Sequence, residues 1–155
     1  MKQIPNALLV AFLLVAFIGF IDAAYLTAKH YLGEIPPCSL VNGCETVLTS
    51  PYATMGGNIP IALVGAVYYL LLFIGGIIYA DTKNVMVLKV TAYFTTAGFA
   101  TSVILVSLQA FVINALCLYC IASAITSTLL FIFGVVILKK LTQTDSIGSM
   151  PVLMR

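Results

Sequence analysis

The residues with chemistry to offer are four cysteines, Cys38 and Cys44 in one polar loop and Cys117 and Cys120 as Cys-x-x-Cys at the head of a long apolar segment. A disulfide tolerates alpha carbons about 4.4 to 6.8 Å apart, and residues one helical turn apart meet that condition, so Cys117 and Cys120 can close. A helix start also favours thiolate, because unpaired amide groups and the positive end of the dipole face the sulfur. Cys38 and Cys44 are separated by five residues, among them the Asn42-Gly43 turn, and they too can close, in a loop open to a soluble redox protein. Two closable dithiols beside one another are a layout for passing electrons by disulfide exchange.

Whether the pairs can meet depends on the elements that carry them. With 62% hydrophobic residues, 8% charged and a mean hydropathy of +1.14, the chain has too little polar surface for a water-soluble globule. Apolar runs extend over residues 7–28, 59–80, 90–113 and 116–138, each near the roughly 20 residues that span hydrocarbon as a helix. They are continuously apolar, unlike the alternating strands of a membrane barrel. The expected class is an all-α integral membrane protein: one domain over residues 1–155, a bundle of four transmembrane helices with a capping loop over residues 29–58. The first run exceeds a signal-peptide core and lacks a small-residue cleavage site at Tyr25-Leu26-Thr27, so it counts as a helix. After Leu138 the tail is too short for a core of its own, which places any electron-delivering domain in a separate chain.

Basic residues near helix ends stay cytoplasmic. With four spans, Lys2, Lys83, Lys89, Lys139, Lys140 and Arg155 share one side and Lys29 alone faces the other. Both termini are therefore expected in the cytoplasm. The loop and the Cys-x-x-Cys then face the extracytoplasmic side of the cell membrane, where disulfides persist. A net charge of +2 gives no footprint for nucleic acid.

Within the loop, Pro36-Pro37 stiffens the approach, Gly56-Gly57 loosens the exit, and Glu45 to Ser50 can form a short helix ended by Pro51, with Val47 and Leu48 dipping into the membrane interface; a loop of that kind can lie over the bundle as a lid. Simpler readings exist. Cys38 with Cys44 can be a loop staple, and four thiolates can hold a metal in a binding or transport protein. An extracytoplasmic metal site usually adds His or Met, whereas His30 is the single histidine and Met55 the single loop methionine. Asp22, inside the first run, is a functional candidate as an intramembrane carboxylate, but lying within reach of the outer interface it reads first as a buried, hydrogen-bonded structural group, and His30 reads as interfacial. Tyr25, Tyr31, Tyr52 and Tyr119 are interfacial anchor candidates, and Gly75-Gly76, Gly98 and the hydroxyl residues of 123–128 suit close helix packing.

The run Cys38-Ser-Leu-Val-Asn-Gly-Cys44-Glu-Thr-Val-Leu-Thr-Ser50-Pro-Tyr-Ala, followed by Gly56, Ile59-Pro60, Gly65 and later Leu116-Cys117-Leu-Tyr-Cys120, resembles the microbial branch of the vitamin K epoxide reductase family. The resemblance covers nearly the whole chain. It implies a four-helix bundle around a quinone (ubiquinone, menaquinone or vitamin K type), capped by the first loop and supporting disulfide formation in exported proteins. By the same resemblance, Cys120 matches the cysteine beside the quinone, Cys117 its disulfide partner, Cys44 the loop cysteine that exchanges with Cys117, and Cys38 the outer cysteine exposed to a thioredoxin-like protein. Ser50 matches a serine near the quinone, beside its simpler reading as a turn residue before Pro51. Two positions depart from the animal enzymes: Ala124 stands for a quinone-contacting tyrosine and Ile61 for an asparagine. Many microbial members carry a fused thioredoxin-like domain; this chain stops after the fourth helix, which implies a disulfide carrier in trans. The other four-helix quinone-linked disulfide-forming family has its Cys-x-x-Cys before the second helix, an order not found here.

Overall fold

A computed structural model describes residues 4–37, 43–55 and 59–148, with side chains described through residue 142. Four long helices, α1 (Asn6–Leu32), α3 (Ile61–Thr82), α4 (Val85–Leu108) and α5 (Leu118–Gly148), hold most of these residues. Between α1 and α3 lie a short helix α2 (Cys44–Leu48), a 3₁₀ turn (Pro51–Ala53) and a two-residue antiparallel pair, β1 (Thr54–Met55) with β2 (Ile59–Pro60). The loop positions Cys38, Asn42, Gly56 and Gly57 fall outside the described residues.

The helix ends follow local chemistry more than hydropathy. The helix α1 continues past Ala28 to Leu32 because Gly33 closes it at φ 67°, where the Glu34 amide donates to the Lys29 carbonyl. α3 and α4 are joined by two residues only: Lys83 takes a left-handed conformation and the Asn84 side chain accepts from the Met86 amide as an N-cap. α4 thus begins five residues before the apolar run at Val90, and Lys89 lies on the helix. At the far end, α4 widens into a π-helical turn (Gln109–Ile113), and Asn114 at φ 53° turns the chain toward α5.

α1 packs against α3 and α5, and α4 packs against the same two helices, so the bundle is a ring with α1 and α4 on one diagonal. Leu9, Phe12, Ala16 and Ala23 of α1 meet Ala66, Tyr69 and Leu72 of α3, Leu88 and Ala92 of α4, and Leu130 and Ile137 of α5. The buried set on α1 recurs every three or four residues, one stripe of an otherwise apolar helix. Outward faces carry Val10, Leu14, Phe17, Val103, Ile104 and Phe111, all exposed. Such a surface is stable against lipid and costly in water, and all four long helices are long and apolar enough to cross a bilayer.

One polar tie crosses the ring. The Tyr69 hydroxyl donates to the Ser123 carbonyl at 2.7 Å and lies within 3.0 Å of the hydroxyls of Ser123, Thr126 and Ser127. A side chain on Gly19 would come within 2.5 Å of the Tyr69 ring, so α1 gives up bulk to let that ring through. Gly75 and Gly76 likewise admit Thr91 and Leu13, and Gly98 admits Tyr68, the close packing expected of them.

Candidate redox site at the mouth of the bundle

The cap and the entry to α5 are fitted together backbone to backbone. Gly43 precedes α2 with φ −96°, a conformation open to any residue, yet a Cβ there would stand 2.5 Å from the Leu116 carbonyl oxygen. Glycine is required at this position for close approach; Asn42, the other half of the expected turn, lies outside the described residues. The contact puts Cys44, at the first position of α2, over the link that carries Cys117.

Cys44, Val47 and Cys117 form one buried cluster, with Leu48, Ile113, Tyr119 and Cys120 packed around it. Cys44 is disulfide-bonded, while Cys117 and Cys120 are free thiols. Cys117 is not inside the helix: its carbonyl accepts from the Ile121 amide at 3.0 Å, which makes it the N-cap, one residue before Leu118. Its sulfur accepts hydrogen bonds from the Cys120 thiol and from the Cys120 and Tyr119 amides, and these hold its thiol at about 7, well below its ordinary value near 9, despite burial that pushes it up. A sulfur in the N-cap position is thus prepared as a thiolate by the amides that a capping oxygen would otherwise satisfy.

Gln109 supports this arrangement from the end of α4. Its side-chain oxygen accepts from the Cys117 amide at 3.2 Å, its main-chain carbonyl accepts from the Ala115 amide at 3.1 Å, and its side chain reaches the Cys120 thiol. It is 4% exposed. Sequence reasoning passed over it, although an amide inside an apolar run is costly unless partnered and was itself the signal.

Cys120, one turn inward, lines a cavity enclosed by all four long helices and the cap. Its walls are largely apolar, from Leu26, Val47, Pro60, Leu105 and Ile113, with a few polar groups: Asp22, His30, Ser50, Gln109 and Ser123. Ile61 and Ala124, the two departures from the animal pattern, both stand on this wall. Ser50 combines its two readings: the hydroxyl donates to the Val47 carbonyl at 2.7 Å, fixing the end of α2, while the residue faces the cavity. The helix expected over 45–50 is correspondingly one residue earlier at its start, Cys44, and Pro51 opens the 3₁₀ turn that follows. Val47 is buried and Leu48 partly so, as expected of a lid.

Asp22 departs from its expected role. Its Oδ2 is buried with no hydrogen-bond partner among the described residues, and the side chain faces the cavity. At the rim, the Tyr25 and Tyr119 rings pack at a tilt with centroids 5.6 Å apart and the Tyr119 hydroxyl donates to the Pro37 carbonyl, pinning the proline arm of the loop to α5. Lys29 is paired with Glu34. Among the described residues no three His, Cys, Asp or Glu side chains are grouped to hold a metal ion.

Such a site, a thiol pair at the edge of an apolar chamber under a cysteine-bearing cap, has a counterpart among known families. The model of the vitamin K epoxide reductase family matches residues 10–135, from the second turn of α1 well into α5. The chain belongs to the vitamin K epoxide reductase family. It is therefore a multi-pass membrane oxidoreductase of the quinone-linked thiol class. No curated protein matches it. The matched span contains all four cysteines.

Proposed function

We propose that this vitamin K epoxide reductase family member re-oxidises a thioredoxin-like disulfide carrier, supplied in trans on the extracytoplasmic side, and passes the electrons to a membrane quinone. One observation carries the reading: Cys44 and Cys117 share a single buried cluster, while the next thiol inward, Cys120, lines the apolar cavity. Contact between the pairs at one end and access to a lipid-soluble acceptor at the other are the two requirements of a relay.

The steps balance as exchanges of two sulfurs for two. Reduced carrier thiols open the bond between Cys38 and Cys44. The Cys44 thiolate then attacks the Cys117 sulfur of a Cys117–Cys120 disulfide and releases Cys120. Cys38 attacks Cys44 in turn, and Cys117 departs as a thiolate, a departure that its lowered value of about 7 makes fast. The result is a closed loop pair and an inner dithiol, matching the bonded Cys44 and the free Cys117 and Cys120. The cavity suits a quinone ring: apolar walls for the ring faces, with Ser50 beside it and Asp22, once protonated, as a donor to a ring oxygen. When bound, the quinone supplies an acceptor for two electrons and two protons. The lone cation Lys29 on the loop side against six on the other orients the site outward.

The test is a set of cysteine variants assayed with a reduced dithiol protein and a short-chain quinone. A reduced carrier that keeps only one cysteine should open the Cys38–Cys44 bond of the unaltered protein and stay linked to Cys38 as a mixed disulfide, with Cys44 released as the thiol. Cys120→Ala should abolish quinone reduction while the loop still exchanges, and Cys117→Ala should strand electrons on the loop. Undiminished quinone reduction by Cys120→Ala would remove the proposed route.

A further inference from the structure

Among the described residues lining the cavity, Asp22 is the sole carboxylate. A buried carboxylate oxygen without a donor is costly, and nothing nearby offsets it: Lys29, seven residues on, is engaged by Glu34. The unsatisfied oxygen faces a chamber that also holds the Cys120 thiol, and Cys117, Tyr119 and Cys120 all lie within its electrostatic range. The other titratable groups on the wall are His30 on α1, exposed at the mouth, and Tyr52 on the cap; α3 and α4 present only non-titrating side chains to it.

We propose that Asp22 is the proton carrier of the site, taking the proton of the Cys120 thiol and delivering it to the carbonyl oxygen of the ring that the cavity binds. The assignment rests on the quinone-linked reading above. In each turnover the Cys117 and Cys120 thiols lose two electrons and two protons and become a disulfide. The quinone takes up both electrons and both protons and leaves as the quinol. Asp22 ends in the protonation state in which it began, so it alters the path of a proton and not the stoichiometry. Asp22 suits this task better than the other groups named on the wall: His30 and Tyr52 are exposed at the mouth and on the cap, the Ser50 proton is committed to the Val47 carbonyl, and the amide of Gln109 does not exchange protons at working pH.

The test compares wild type with Asp22→Asn, a near-isosteric neutral variant, and Asp22→Glu, in the full-length detergent-solubilised protein. Asp22→Asn should lower quinone reduction by about 10²- to 10⁴-fold, the usual contribution of a positioned acid or base. Loop exchange with a reduced dithiol protein should be unchanged, and the pH profile of quinone reduction should lose one limb. Asp22→Glu should restore most of the rate. Without any quinone, infrared difference spectra taken on reducing the inner disulfide should show a carboxyl band in wild type that is missing in Asp22→Asn. A wild-type rate and pH profile in Asp22→Asn, or an unaltered carboxyl band, overturns the assignment. If wild type itself reduces no quinone, the proposed function fails, and the infrared band still decides whether Asp22 exchanges a proton with the thiols.

Discussion

At the residue scale, the decisive feature is the division of labour between two cysteines three positions apart. Cys117 caps a helix and is buried against Cys44; Cys120 sits a turn inside and faces the cavity. The lowered value of Cys117 arises first from the Cys120 thiol donating to it, then from the Cys120 and Tyr119 amides, against opposing burial. Its folded value lies below that of a free thiol. The associated stability is therefore fully present above about pH 9 and is lost as pH falls through about 7. In the reduced, quinone-free protein, ultraviolet thiolate absorbance should rise with a midpoint near pH 7. Cys120→Ala, which deletes the first of these donors, should move that midpoint upward, whereas Cys120→Ser keeps a donor and should hold it. An unmoved midpoint in the alanine variant would refute this origin. That Cys117 and Cys120 lie one turn apart was legible from their spacing; which of the two is the activated cap was not, since the first helical residue is set by the Asn114 turn and the Gln109 clamp.

At the element scale, the cap works because α2 touches the π-helical turn at the end of α4 and Gly43 touches Leu116. Two short elements from distant parts of the chain are thereby held in register above the cavity. Gly43→Ala should break this register, because a methyl 2.5 Å from the Leu116 oxygen forces the backbones apart. Overpacking of this kind costs about 1–3 kcal/mol, and displacing a reacting group by about 1 Å slows its chemistry roughly a hundredfold. Transfer of electrons from loop to inner pair, followed by rapid alkylation and quenching, should slow accordingly. Transfer at the wild-type rate would show that the contact does not set the register. The four long helices were legible as apolar runs, while their ends were not. Gly33, Lys83 and Asn84 moved them by several residues through backbone geometry and capping that hydropathy does not sense.

At the scale of the whole molecule, the ring of helices places Cys44, Cys117 and Cys120, the thiols of the proposed relay, at one mouth. Tyr69, threaded past Gly19 to the hydroxyls of α5, ties the bundle across its centre beneath that mouth. Lys29 alone on the loop side against six basic residues opposite predicts that the end of the bundle holding Cys44, Cys117 and Cys120 faces outward. After reduction of intact cells with a permeant reductant, a membrane-impermeant maleimide should label the loop cysteines and leave cysteines introduced beside Lys83 untouched. Labelling with the opposite sidedness would invert the topology and with it the carrier's compartment.

Composition, hydropathy and cysteine spacing by themselves determined a four-span membrane protein with two closable thiol pairs on one side, because transfer of side chains into hydrocarbon and the reach of a disulfide are local properties of the chain. Tertiary structure alone decided that Cys44 meets Cys117, that Gln109 steadies the pair, and that Asp22 opens onto the cavity without a partner. Those facts depend on which residues from separate helices converge, and convergence is set by packing around Gly19, Gly43 and the Asn114 turn, which no single segment encodes.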